Sequence, residues 1–453
     1  MQARGNRERI PSPLIPWRLP SGRGATEQPN ATGDGDVPLT PRFWVLVALT
    51  GVAAGLFADL MMALLSAVEH LAFGHAPGGS FESAVRQSGD VRRLAALLAA
   101  GTFGGVAWYL LRRFTPGEKT DLDDVVWRRG EQLSFRRSFL SGTISEVVVG
   151  LGASIGRENA PKLLGGASAS ALAGWGRLTP EQKRLLMACG AGAGFAAVYN
   201  VPFAGALMAA EVMLGTISLP VILPALACSG IATVTAWLYL PHRVTYPGVP
   251  AYHLTLPLVV FSLVAGPLIG GIASGYIRLI GWVTHFQLTG VRSIGAQVVA
   301  MGVLGVIGFG FPQLFGNGRD MAAGAFAGTG GFSVLLALFL LKPLVTAACL
   351  GSGASGGLFT PTLSTGAVLG AAAGIAWSVG WPGSPAGAYA LVGAAAMMGA
   401  AMQAPLTAIA MIVELTSGGS SLLLPVIAAT VTATVVARQI DGYSIYTARL
   451  RGQ

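Results

Sequence analysis

Gly156-Arg157-Glu158-Asn159-Ala160-Pro161 and Gly356-Gly357-Leu358-Phe359-Thr360-Pro361 lie 200 positions apart, and each opens on glycine and closes on proline in strongly apolar surroundings. Glycine lets a backbone turn or come close to a ligand, and proline fits the first turn of a helix, so each segment reads as a helix start. With apolar sequence around both, the two starts are expected inside a membrane. A helix that begins there leaves unpaired N–H groups at the positive end of its dipole, and these can hold a small anion without a fixed positive charge. Interrupted helices at matching places in two halves of a chain point to a transport site. Gly156, Gly356 and Gly357 are therefore read as pathway-forming glycines.

Composition agrees with that setting. Of 453 residues, 53% are hydrophobic and 11% charged, against roughly 25% charged in an average soluble domain, which excludes a soluble fold. Stretches apolar enough to cross or nearly cross a bilayer, at about 20 residues each, include Phe43 to Val68, Leu94 to Leu111, Leu258 to Ile277 and Leu422 to Ala437. Other stretches read as short or broken by Gly and Pro. The 64 glycines fit close helix packing and interrupted helices, both commoner in membranes than in water.

The net charge of +9 does not indicate nucleic acid, because Lys and Arg gather between apolar spans and not beside base-stacking aromatics. They read as topology signals: Arg112, Arg113, Lys119, Arg128, Arg129, Arg136 and Arg137 first, then Arg177, Lys183 and Arg184, then Arg438, Arg449 and Arg451. The positive-inside rule puts these segments and the Arg-bearing N-terminal tail in the cytoplasm, so both termini are inside and the number of full crossings is even. Residues 1–40 lack the apolar core of a signal peptide and read as a disordered cytoplasmic tail. Cys189, Cys228 and Cys349 are far apart, without metal-like spacing, and read as small core residues. No metal site or cofactor is expected.

A second match supports duplication. Gly190 to Glu211 resembles Gly393 to Glu414, with Gly190 against Gly393, Pro202 against Pro405 and Glu211 against Glu414, each 203 positions apart. Two matches at nearly one offset indicate duplicated halves, about residues 43–240 and 255–437. Helix starts that face each other at the midplane favour inverted halves, since parallel halves place both starts on one side. The expected fold class is an all-α polytopic membrane protein of two inverted-topology repeats whose broken helices meet at the bilayer midplane.

These motifs resemble the CLC family of chloride channels and chloride/proton antiporters, over about residues 45–450. Gly351-Ser352-Gly353-Ala354-Ser355-Gly356-Gly357-Leu358-Phe359-Thr360-Pro361 is similar to the family's glycine-rich segment ending in G-[IL]-F-x-P. Gly156 to Pro161 stands for G-[KR]-E-G-P, with Asn159-Ala160-Pro161 replacing Gly-Pro, and Asn200-Val201-Pro202-Phe203-Ala204-Gly205 resembles N-x-P-[LF]-[AS]-G. The resemblance implies a CLC-type transmembrane domain over 41–453, ending in a C-terminal helix at 438–453, and a homodimer with one pathway per subunit. It also implies that the N–H groups of Leu358 and Phe359 bind a central chloride, with the Tyr446 hydroxyl as a further donor. Tyr446 is carried over on Ser444-Ile445-Tyr446-Thr447-Ala448, similar to the family's L-Y-[ST] segment; Tyr443 competes for the role, and an aromatic interface anchor is the plain alternative.

Glu158 is the expected gate. An acid at a helix start inside the membrane is costly and usually functional, and the dipole there stabilises its carboxylate. The carboxylate can occupy the anion's place, and protonation releases it, so one residue couples gating to pH. Arg157 and Asn159 flank it in the anion-binding set. The bland alternative is a carboxylate that caps its own helix or pairs with Arg157.

Two departures from the family pattern bear on mechanism. The first signature, G-S-G-I-P, should lie between Arg113 and Leu140, where the chain has Gly117-Glu118-Lys119-Thr120-Asp121-Leu122-Asp123-Asp124. Thr120 then takes the serine's place as an anion ligand, or the segment is a charged cytoplasmic loop in which Asp121, Asp123 and Asp124 point away from the pathway. Second, alignment through Pro202 and Glu211 puts Val212 where many antiporters carry a proton-relaying acid, and valine cannot carry a proton. Glu211, one position earlier, points about 100° away on a regular helix; it is either a relay with Glu158 or a structural acid, and Glu414 reads as structural.

The leading expectation is a voltage-gated, chloride channel-like protein with a glutamate gate, passing chloride and other small monovalent anions. The alternative is a chloride/proton antiporter. Further alternatives are a fluoride exporter, disfavoured by Tyr446, and a transport-dead anion sensor. An intramembrane enzyme using Glu158 and Glu211 as acid and base lacks a nucleophile, metal cluster or cofactor loop beside them. Asp59 and the Glu69-His70 pair face a polar cavity or form satisfied buried pairs, while Ser352 and Ser355 offer hydroxyls or simply let helices touch. With no large domain after the last span, a bacterial inner membrane is the expected location.

Overall fold

The computed structural model describes residues 37–75, 79–116, 122–127, 132–416 and 419–449. The first repeat holds α1 (Pro41–Phe73), α2 (Phe81–Gln87), α3 (Asp90–Phe114), α4 (Leu122–Trp127), α5 (Phe135–Gly150), α6 (Asn159–Trp175), α7 (Pro180–Tyr199), α8 (Pro202–Leu207) and α9 (Leu219–Ala236). The second holds α10 (Leu256–His285), α11 (Arg292–Gly310), α12 (Arg319–Phe326), α13 (Phe332–Gly351), α14 (Phe359–Gly380), α15 (Ala386–Met402), α16 (Pro405–Leu415) and α17 (Leu423–Ile440). Among the described residues, eight helices are long and apolar enough to cross a membrane, so the protein is an all-α, multi-pass membrane protein. Most of the expected N-terminal tail, residues 1–36, lies outside the described residues; 37–40 lead into α1, where Thr40 accepts the Phe43 N–H and Pro41 opens the helix.

Three of the four apolar spans read from sequence fall inside a helix, and the fourth lies in α17 except for Leu422, its N-cap. The four remaining long spans include α9 and α13, which run through Pro224 and Pro343 without stopping. Proline is tolerated there because neighbouring helices and side chains satisfy the carbonyl it frees, so treating it as a break understated these helices. At the other end the expected C-terminal helix over 438–453 is not formed. Helix α17 stops at Ile440, Gly442 takes a left-handed φ of 69°, and Thr447–Arg449 makes a single 3-10 turn; residues 450–453 lie outside the described residues.

The duplication governs the packing. Helix α6 lies against α7 at Gly165 and Gly190, and α14 against α15 at Gly366 and Gly393; at each position a Cβ would run into the partner glycine's carbonyl or its neighbours. Asn200 and Gln403, equivalent in the repeats, both turn the chain left-handed, with φ of 57° and 56°, ahead of the prolines that start α8 and α16. The repeats also exchange caps. The Glu211 carboxylate accepts the Leu406 and Thr407 N–H groups at the start of α16, at 3.1 and 2.8 Å. Glu414 accepts those of Phe203 and Ala204 at the start of α8, at 3.1 and 2.7 Å.

Lys342, fully buried on α13, fixes the approach to the first helix start. Its Nζ donates to Ser154 Oγ at 2.8 Å and to the Gly316 carbonyl at 2.9 Å. Ser154 stands just before Gly156, so this brace ties the second repeat to the first beside the site.

Candidate functional site

The two glycine-led segments run antiparallel. Gly156 N–H donates to the Gly357 carbonyl at 2.7 Å, and Gly357 N–H donates back to the Gly156 carbonyl at 2.8 Å. From this bridge α6 and α14 leave in opposite senses. Each has its proline third, Pro161 and Pro361, so two N–H groups precede the proline in each first turn.

Glu158 is the N-cap residue of α6, yet its side chain makes no cap to its own helix. It crosses to the other repeat. Oε1 accepts the Phe359 N–H, the first of α14, at 2.8 Å; Oε2 accepts the Tyr199 hydroxyl at 2.9 Å and lies 3.4 Å from Thr360 Oγ1. Tyr199 and Thr360 share a 2.5 Å hydrogen bond. The carboxylate is 3% exposed and sits beside the packed rings of Phe195, Tyr199 and Phe359. Gly156 and Gly357 are dictated by this placement, since a Cβ on either would overlap the carboxylate.

The other anticipated residues fall at graded distances from this centre. Arg157 does not pair with Glu158; its guanidinium lies over the Tyr199 ring, 5.5 Å from the centroid. Asn159 Nδ2 reaches Ser355 Oγ at 3.5 Å. Leu358 is the N-cap of α14, immediately before Phe359. Tyr446 is buried with its ring over Lys162 Nζ at 4.8 Å, one turn along α6 from Glu158, while Tyr443 is half-buried behind it. Thr120 lies outside the described residues, as does Asp121. Ser352 Oγ turns to the Cys349 carbonyl, and the Ser355 carbonyl accepts Ser145 Oγ at 2.8 Å.

Glu211 is not beside Glu158. It caps α16 and also accepts Thr407 Oγ1 at 2.7 Å. The segment carrying it, Met208–Leu214, is a π-helical turn and not the 3.6-residue helix assumed in placing its side chain. Val212 is buried in the same turn.

A vestibule of about 310 Å³ borders Tyr199 and Arg157, walled by the first repeat and the loop after α9, with Glu69, His75 and Arg243 on its walls and Arg319 reaching it from the second repeat. Glu69 does face a polar cavity, and its partner is His75 at 3.7 Å, not the neighbouring His70.

Sequence reading missed three groups at the centre. Tyr199 immediately precedes the Asn200 motif, Thr360 lies inside the glycine-rich motif, and Lys162 follows Pro161. An acid in an apolar helix is a functional flag by itself, and by that rule Glu146 in Ser145-Glu146-Val147 should also have been singled out.

A family model described as voltage gated chloride channel matches residues 103–438. The chain belongs to this family. It is similar to the voltage-gated ClC-type chloride channel ClcB of Citrobacter koseri, with 31% identity over 382 residues, 81% of this chain and 89% of the relative. ClcB of Salmonella typhimurium is 30% identical over 415 residues, covering 89% and 97%. Among solved structures, a slow cyanobacterial Cl⁻/H⁺ antiporter superposes with a TM-score of 0.78 at 23% identity, covering 90% of this chain and 97% of that one. A CLC-type fluoride/proton antiporter gives a TM-score of 0.72 at 22% identity, with the same coverages. These share the fold. Family membership makes the chain a membrane transport protein and not an enzyme.

Proposed function

We propose that the protein passes chloride, and with it other small monovalent anions, across a bacterial inner membrane through a channel-like pathway gated by Glu158. One observation carries this reading: the Glu158 carboxylate accepts the first N–H of α14 from across the repeat boundary, where a helix dipole and a bare N–H would hold an anion. A carboxylate there stands in for chloride. Protonation removes the charge that keeps it, and the side chain can then yield the donors to a passing ion. Leu358 and Phe359 supply N–H groups, Tyr446 a hydroxyl, and Arg157 and Asn159 flank the outer approach. Hydrogen-bonding groups that replace the ion's water weakly at successive places allow conduction.

Val212 and the capping of α16 by Glu211 favour a channel over the chloride/proton antiporter, because the inner half of the pathway is left without a free acid at that position. Both termini are placed in the cytoplasm by the Arg-rich segments. The family resemblance implies a homodimer.

The test is chloride efflux from proteoliposomes at a clamped potential with pH recorded. Chloride flux without proton movement, made pH-insensitive by Glu158→Gln, is the expected result. Uphill proton uptake driven by chloride and lost in Glu158→Gln would establish the antiporter instead. Fluoride efflux without chloride efflux would establish a fluoride exporter, and chloride binding without flux an anion sensor.

A further inference from the structure

Glu146 on α5 is fully buried, and neither of its carboxylate oxygens has a hydrogen-bond partner. Arg157 Nε, also buried, is in the same condition. The charges acting on Glu146 are those of Arg157 and Glu158, from the segment entering α6, and Glu69 from α1. Helix α3, the third neighbour of α5, brings Gly104 against Val148. Val149, one turn further along α5, and Glu69 both line the small chamber off the vestibule. Glu146 therefore lies on the helix that borders that chamber, one turn before Val149, and its neighbour Ser145 pins α5 to Ser355 at the entry to α14.

An ionised carboxylate without donors in a dry interior is costly, whereas the protonated acid is tolerated. The Arg157 charge acts on Glu146, so Glu146 can carry the negative charge when Glu158 does not. Two such acids titrate as a pair and not as individuals.

We propose that Glu146 is the proton donor and acceptor for the Glu158 gate, which deepens the reading of Glu158 above and rests on it. In the closed state Glu146 carries the proton and Glu158 is the carboxylate on Phe359. Transfer of that proton makes Glu158 a neutral acid, which leaves the α14 N–H, and makes Glu146 a carboxylate compensated by Arg157. Glu146 then takes up a proton from the vestibule past Glu69; on closing it releases that proton by the same route and takes back the one on Glu158, so the proton bound on opening leaves on the side it entered and none crosses the membrane.

Infrared difference titration of the purified full chain tests the protonation itself, without transport. The wild-type protein is expected to show a protonated-carboxyl C=O band that persists in Glu158→Gln and disappears in Glu146→Gln; absence of any such band in the wild type would overturn the proposal. In proteoliposomes, Glu146→Gln is expected to keep the open pathway but slow acid-triggered opening on the order of a hundredfold, with Glu146→Asp restoring part of it. A pH profile of Glu146→Gln superimposable on wild type would sink the idea. If Glu158→Gln itself leaves the pH response unchanged, it is the gate reading that fails, and the infrared result still decides whether Glu146 is protonated.

Discussion

At Glu158 a carboxylate and a mobile anion compete for the same donors, and the outcome depends on how many donors close on the carboxylate. Phe359 N–H is part of the helix and is offered to either competitor. The Tyr199 hydroxyl is different, because it is a side chain from α7 aimed at Oε2. A hydrogen bond to a charged group contributes about 1.5–3 kcal/mol, which is roughly a tenfold to hundredfold bias. Tyr199→Phe is therefore expected to raise chloride efflux at neutral pH and to reduce the acid needed to open the pathway. Efflux measured against pH checks it, and a profile identical to wild type would remove Tyr199 from the gate. At this scale the sequence was partly legible. Glycine and proline bracket each helix start and mark the acid Glu158 without coordinates, while Phe359 comes from the family resemblance. Tyr199 could not, because nothing local says that a tyrosine at the end of one helix reaches an acid 41 positions earlier.

For whole elements the same sequence was readable where period and punctuation agreed and misleading where they did not. Stretches that read as short or broken by Gly and Pro include α9 and α13, whose helices continue through Pro224 and Pro343. Glu211 was placed by a 3.6-residue period that its π turn does not follow. Its position makes a sharper expectation than its name as an acid did. Glu211 and Glu414 each accept two N–H groups at the start of a helix in the opposite repeat, and loss of such a cap costs about 0.5–2 kcal/mol. Glu211→Gln and Glu414→Gln are expected to lower thermal stability in detergent by similar amounts while leaving anion flux without proton coupling as it was. If Glu211→Gln kept full stability but abolished a measurable proton flux, Glu211 would be a relay after all.

Considered as a whole molecule, the site belongs to neither half. The duplication was legible from two matches at nearly one offset, but the crossing contacts were not, since they join residues about 200 positions apart with no covariation to reveal them. Gly156 bonds Gly357, Glu158 bonds Phe359, Glu211 holds α16 and Glu414 holds α8. Two half-length chains inserted in opposite senses would satisfy all of these contacts, whereas one half alone would leave its acid and its helix start bare. The reciprocal contacts are of the kind that two inverted copies make across a two-fold axis. The two halves are joined by the loop between α9 and α10, where Gly248 is exposed. Severing the chain at Gly248 and producing the two fragments in one cell is expected to give a co-purifying, anion-conducting complex; fragments that never associate would show that the two halves depend on their seam.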